Sequence, residues 1–345
     1  MADIIDLKDG VYEKVISRDF DKKLTKALAD KEIWADREDV DAQEAVGYLS
    51  SYLEKLIRLC LKEIADENQD HCVKDELALT NELVEKLASR IANLGDGHDV
   101  TAEQFLLKSL EHRANKIARK KWEVPATSLV NSFLFTNSRN DVSMIHELNR
   151  EIMTCDRMDM LISFIRFSGL SLILPCLRQF TAGGGHLRVV TTTYMGATDP
   201  KAVKVLSELP NTEVRISYNV KETRLHAKSY MFYRDSGFST AYVGSSNLSR
   251  AAIADGMEWN MKVTEQDLPG IIAKMKATFD TYWHSDEFQP FQVSDFDKLS
   301  RAIDRERGRK EEGGDTTYSF DIEPYPYQQA VLDALRTERL GKGRW

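Results

Sequence analysis

Arg224-Leu-His-Ala-Lys-Ser-Tyr-Met-Phe-Tyr233 is the stretch that decides the fold. Aromatic and aliphatic residues dominate it and neither Gly nor Pro interrupts it, which predicts a strand over 224–233. Side chains on a strand alternate between faces, so His226 and Lys228 share one face and Leu225 and Ala227 the other. A nucleophile or base is thereby set beside a fixed cation. Downstream, Gly244-Ser245-Ser246-Asn247 forms a small-residue turn whose amides and hydroxyls suit an anion, and Asn247 adds a neutral donor. Glu258 and Asn260 stand two apart on a further expected strand and present a carboxylate and an amide to the same place. These are the parts required to attack a phosphodiester without a metal ion.

Outward from this stretch the pattern alternates. The expected elements are a helix over 141–155, a strand from Met158 to Ile165, and a helical stretch around 170–181 that starts or kinks near Pro175. A strand Leu187–Thr191 follows Gly183-Gly-Gly185, which lacks the spacing of a nucleotide-binding turn and reads as a tight bend. Asp199-Pro200 opens a helix through Leu209. Strand Glu213–Tyr218, the strand ending at the Gly-Ser turn, strand 257–263 and helix 266–283 complete the region. Strands alternating with helices imply a layered α/β sheet.

The first 122 residues read as helical. Leu49, Leu53, Leu56, Ile57, Cys60 and Ile64 recur at helical spacing, as do Leu83, Leu87, Ile91 and Leu94. Thr101 and Gln104 resemble a capping box ahead of a helix carrying Phe105, Leu106, Leu110 and Ile117. After residue 290 the chain is highly charged, as in Arg301-Ala-Ile-Asp-Arg-Glu-Arg-Gly-Arg-Lys-Glu-Glu312, the pattern of a solvated helix and linker. The expected organisation is a helical domain at 1–122, an α/β domain at 123–290, a charged linker at 291–323 and a separate piece at 324–345.

Composition is that of an ordinary globular chain: 345 residues, 42% apolar and 30% charged. No apolar run reaches the length of a membrane span, and the first residues lack a signal-peptide pattern. Cys60, Cys72, Cys155 and Cys176 show no metal-ligand spacing and fit free thiols in a reducing compartment, so a cytoplasmic location is expected. The net charge of −8 argues against indiscriminate coating of nucleic acid. Much of the acid excess lies in the first third, whereas Arg166, Arg188, Lys201, Lys204, Arg224, Lys228 and Arg250 fall in the middle, where any phosphate contact is expected.

The ordered set His226-x-Lys228, the Gly244-Ser245 turn with Asn247, and Glu258 resembles the phospholipase D superfamily over roughly residues 130–285. Within it, Phe164-Ile-Arg-Phe-Ser-Gly169, Arg188-Val-Val-Thr-Thr-Thr-Tyr-Met-Gly-Ala-Thr-Asp-Pro200 and Phe238-Ser-Thr-Ala-Tyr-Val-Gly-Ser-Ser-Asn-Leu-Ser249 resemble the nuclease-like branch at the N-terminus of large bacterial helicases. One position departs: where the family carries an Asp five residues after the Lys, this chain has Tyr233, and Asp235 is two residues further on.

The resemblance implies a phospholipase D-like layered α/β sandwich with a central mixed sheet, preceded by the all-α N-terminal domain. It implies that His226 attacks phosphorus to form a phosphohistidine and that a second His protonates the leaving oxygen and later activates water. Lys228, Asn247 and Ser245 would hold the non-bridging oxygens, and Glu258 the far ring nitrogen of His226. Arg166, Thr193, Tyr194, Arg224, Ser246 and Asn260 are the expected substrate-binding residues. None of the other six histidines is followed by Lys two residues on, so two copies are expected to share one composite site as a homodimer. No metal and no cofactor is expected. ATP would serve only a helicase motor, for which the chain has no phosphate loop. Pro324-Tyr-Pro-Tyr-Gln-Gln-Ala-Val-Leu-Asp-Ala-Leu335 resembles the lead-in to such a motor, so the chain is expected to be a piece of a longer fusion. DNA, single- or double-stranded, is the expected substrate, with defence against foreign DNA a plausible setting. A lipid-acting phospholipase or phosphatidyl transferase, and a catalytically weak DNA-binding and dimerisation platform, stand as alternatives.

Overall fold

The structure is a computed structural model. It describes residues 15–29, 35, 37, 39–67, 72–91, 100, 106–108, 123–136, 138, 142–219, 225–255 and 258–311. The expected capping box at Thr101, Arg224 and the helicase-like segment 324–335 lie outside the described residues. The chain divides into two compact units, Met1–Leu110 and Glu111–Trp345.

The first unit is helical. Helix α1 (Arg18–Ala27) begins at Ser17, whose hydroxyl accepts from Phe20 N–H at 3.2 Å. Helix α2 (Ala45–Glu67) and α3 (Cys72–Ala88) pack together, as the 3.6-residue spacing predicts.

The second unit is built on one mixed sheet of eight strands: β1 (Phe133–Phe135), β2 (Arg157–Ile162), β3 (His186–Thr192), β4 (Thr212–Ser217), β5 (Lys228–Tyr233), β6 (Thr240–Gly244), β7 (Asn260–Thr264) and β8 (Phe288–Pro290). Their order across the sheet is β1-β7-β6-β5-β2-β3-β4-β8. Strands β2, β3 and β4 are parallel and the other pairings antiparallel. Short edge strands β1 and β8 had no legible sequence pattern.

Helices α4 (Met144–Thr154), α5 (Phe167–Ala182), α6 (Pro200–Ser207) and α8 (Phe296–Glu311) contribute to the larger core on one face. Helix α7 (Pro269–His284) contributes to the smaller core on the other. Strand residues sort by parity: Met158, Met160, Val189, Tyr230, Phe232 and Tyr242 enter the first core, and Leu161, Val190, Met231, Ala241 and Val263 the second. Arg188 ties α7 to the sheet through Asp159 (2.6 and 2.7 Å) and Asp280 (2.9 Å). It is a structural ion pair rather than a phosphate contact.

Two expectations change. Helix α5 starts at Phe167 and runs through Pro175 rather than beginning there. The segment after 290 is not only a solvated linker, because Phe291, Leu299 and Ile303 are buried in the larger core while the charges of α8 face outward. The domain therefore continues to at least residue 308. Finally, the faces of β5, β6 and β7 toward α4 carry a buried charge network that alternation alone does not reveal. Glu151 receives Arg234 (2.6 Å), Lys262 (2.9 Å), Tyr242 OH (2.9 Å) and Thr240 Oγ1 (2.8 Å). Glu147 meets Lys262 at 3.3 Å and accepts from the Ala126 and Thr127 amides. Burial alone would raise the Glu151 carboxyl, but Arg234 and Lys262 outweigh it and hold it below its ordinary value.

Candidate active site

The carboxyl ends of β2 and β3, the start of β5, the end of β6 and the start of β7 all meet at one edge of the sheet, as the registers Ile162↔Lys228 and Gly244↔Asn260 require. Open α/β sheets bind ligands at the carboxyl ends of their parallel strands.

His226 precedes the strand that was expected to contain it; β5 begins only at Lys228. Extended pairing nevertheless continues past the strand end, since Ser163 donates to Ala227 O from both its amide (3.1 Å) and its hydroxyl (2.9 Å). His226 is exposed, whereas Lys228 is only 6% exposed. The Lys228 ammonium donates to His226 O at 2.7 Å and lies 3.0 and 3.1 Å from the two ring nitrogens. An ammonium that close to both nitrogens in the ring plane would collide with the carbon between them, so it lies over the ring face. The ammonium therefore occupies neither in-plane nitrogen position. Phe164 supports the ring edge-on, with centroids 6.0 Å apart.

Partial burial, and then the Lys228 charge, hold the His226 pKa below its ordinary value. Burial lowers that of Lys228 as well, with Glu258 partly offsetting it. Glu258 is half-buried, and its charge acts on the Lys228 ammonium.

Asn247 is placed by a second loop. Its Oδ1 accepts from Phe164 N–H at 3.2 Å, which turns its amide nitrogen toward other partners. Around it, Leu248 N–H donates to Phe164 O and Arg166 N–H to Leu248 O, locking the loop after β2 to the loop after β6. A Cβ on Gly169 would lie 2.5 Å from the backbone at Leu248 and Ser249, so only glycine lets the first turn of α5 sit there. The positive end of that helix and the exposed Arg166 at its N-cap then join the site edge.

Other expected substrate contacts are structural. Ser246 is buried, and Asn260 is 2% exposed; Asn260 Nδ2 donates to Ser246 Oγ at 2.7 Å and Ser246 N–H to Asn260 Oδ1 at 3.4 Å. They fix the Gly-Ser turn instead of facing a ligand. Ser245 is exposed, but its hydroxyl accepts from Trp259 N–H (3.2 Å). Thr193 is buried, with amide and hydroxyl both on Ser217 O, and Tyr194 is half-buried with its amide on Thr192 Oγ1. These threonines cap a loop, because backbone leaving the sheet must have its polar groups satisfied. Behind that loop Arg307 of α8 donates to Gly196 O at 2.9 Å, an interaction no sequence motif announced.

Tyr233, in place of the family Asp, pairs with Arg157 at the opposite end of β5. Five residues of strand put it about 16 Å from Lys228. Arg157 covers its ring at 4.0 Å. The departure therefore leaves the His226–Lys228 arrangement untouched.

No curated protein matches the chain. Among solved structures it is similar to NucT from Helicobacter pylori, at 16% identity and TM-score 0.38 over 47% of this chain and 99% of that one. It is similar at 15% identity and TM-score 0.37 to Nuc, a phospholipase D family member from Salmonella typhimurium, over 47% and 100% of the two chains. Phosphatidylserine synthase from Haemophilus influenzae matches at 8% identity and TM-score 0.36, over 59% and 46%. Residues 149–283, which hold His226, Lys228, Asn247 and Glu258, match the family described as cardiolipin synthase, PLD-like domain.

Proposed function

We propose that the chain is a phosphodiesterase that cleaves DNA at His226 without a metal ion, as a homodimer. The observation that carries this reading is the buried Lys228 ammonium against the exposed His226 ring at the carboxyl edge of the sheet. Lys228 and the Asn247 amide supply the charge and the donor for the non-bridging oxygens. A His226 nitrogen attacks phosphorus, forming a P–N bond as the P–O bond to the leaving group breaks. The second copy's His226 gives its proton to that oxygen. It then takes a proton from water, which displaces the first histidine and returns both rings to their starting states. The need for two imidazoles, with one such motif per chain, is the reason for proposing a dimer.

An apolar row supports the dimer. Leu134, Met261 and Val243 are cross-strand neighbours on the face that α7 covers only in part, and all three are exposed. An uncovered row of this kind suits a protein contact. Attachment to a helicase motor and a role in defence belong to the same proposal and rest on sequence resemblance alone. A lipid substrate is the second reading, favoured by the description of the matching family; no helix among the described residues is long and apolar enough to cross a membrane.

The test is cleavage in excess chelator of single-stranded DNA, duplex DNA and a phosphatidyl substrate, with His226→Ala as control. Chelator-resistant DNA cutting that His226→Ala abolishes is expected. Turnover of the lipid alone would transfer the site to the second reading, and an active monomer in sedimentation would remove the shared site.

A further inference from the structure

Phe164 meets three of the groups on which the proposed chemistry depends. It lies just beyond the end of β2, is half-buried, and belongs to neither apolar core. Its amide donates to Asn247 Oδ1 at 3.2 Å and its carbonyl accepts from Leu248 N–H at 3.2 Å, so its main chain sets the orientation of Asn247. The side chain has a separate part. Its ring centroid is 6.0 Å from that of His226, with 72° between the planes, and the Lys228 ammonium stands over its face, 6.0 Å from the centroid. The ammonium is thus over a face of both rings, in the angle between them, and is nearly out of water.

An aromatic face attracts a cation through its quadrupole. A hydroxyl or carboxylate in its place would accept an ammonium N–H that a phosphate oxygen needs. The Phe164 ring therefore holds Lys228 against His226 without consuming a donor, while one N–H goes to His226 O at 2.7 Å. A residue kept only for packing belongs in one of the two cores, and Phe164 is in neither. Resting on the phosphodiesterase reading, we infer that Phe164 is a positioning residue for the reaction: its ring keeps the Lys228 ammonium on the His226 imidazole, and its main chain aligns Asn247 with that pair.

The experiment uses the full chain in excess chelator with bis(p-nitrophenyl) phosphate, a phosphodiester that carries neither base nor acyl chain. Where the wild type cuts only DNA, the same comparison is made on the strand it cuts. Phe164→Leu keeps apolar bulk and both main-chain bonds but has no aromatic face. It should lower kcat about 2- to 12-fold, the weight of one aromatic contact, with KM within about twofold. Phe164→Tyr, which keeps the face, should retain kcat, separating loss of the ring contact from loss of folding. In Phe164→Leu the NMR titration of His226 should move up toward the ordinary imidazole range, because loss of shielding and retreat of the ammonium both act in that direction. An unchanged kcat, a rise in KM alone, or a His226 titration that stays in place overturns the inference while leaving the phosphodiesterase reading intact. A Phe164→Tyr protein as slow as Phe164→Leu overturns it as well. A wild type that turns over neither this diester nor any strand or lipid removes the phosphodiesterase reading, and this inference with it.

Discussion

Replacing Gly244 by alanine tests how the sheet builds the site. Gly244 pairs with Asn260 across β6 and β7, and a Cβ there would lie 2.2 Å from Trp259 O, 2.6 Å from Asn260 Oδ1 and 2.7 Å from Asn260 Cα. Two of these atoms belong to backbone, so the strands themselves must part, by about 1 Å to reach ordinary contact. That displacement takes the 2.7 Å Asn260–Ser246 bond out of hydrogen-bonding range. Overpacking costs about 1–3 kcal/mol, and a buried amide left unsatisfied about another 1–3 kcal/mol. The expected loss is therefore about 2–6 kcal/mol, a large part of the roughly 5–15 kcal/mol that stabilises a domain. It is read as a lower urea midpoint with the slope unchanged. Because both variants remove the same bond, Gly244→Ala and Asn260→Ala should combine to less than their sum. A Gly244→Ala protein that loses under about 0.5 kcal/mol, or full additivity in the double variant, would refute the view that this contact holds the Gly-Ser turn.

Partial burial and then Lys228 hold the His226 pKa below its ordinary value, which favours the neutral ring that attacks phosphorus, while the second copy's ring must carry the proton it gives to the leaving oxygen. The acid limb of kcat/KM then lies below the ordinary imidazole range, and a midpoint at or above it would contradict the assigned nucleophile. In Lys228→Met the NMR titration of His226 should move back up only in part, since burial is the larger cause; no movement would mean that the ammonium is not over the ring in solution. A depressed imidazole also means that the unfolded chain binds the proton first, so this group erodes stability as pH falls through the unfolded value of roughly 6.5. Glu151→Ala leaves Arg234 and Lys262 buried without their shared carboxylate, and should cost about 3–5 kcal/mol in urea unfolding; a loss below about 1 would show the network to be dispensable. Leu299→Ala should cost about 2–5 kcal/mol if α8 belongs to the domain, and an unaltered melting curve would return residues beyond 290 to the status of a linker.

The parts of the fold legible in the chain were those with strong local period. Helices α2, α4, α6 and α7 and the central strands repeat apolar residues at helical or alternate spacing over enough positions to be read. The three-residue strands β1 and β8 hold no period, and Pro175 misplaced the start of α5 because a proline inside a helix looks locally like its beginning. Charge misled at both ends of the scale. The run after Arg301 hid Leu299 and Ile303 on one face of α8, while Lys262, Glu147 and Glu151 are charged residues whose burial depends on partners far away in sequence.

For the site, the sequence by itself determined which chemical groups are available: one imidazole next to one ammonium, a glycine-serine turn, an amide and a carboxylate, all carried by short motifs. Only the tertiary structure decided which of these face a ligand. Strand pairing buried Ser246 and Asn260 as a mutual bond, and loop capping consumed Thr193. It also put Tyr233 at the far end of β5. The physical reason is that a motif sets residue type and parity along one strand, whereas exposure and partner choice depend on which other strand or loop arrives beside it, and those neighbours are tens of residues away.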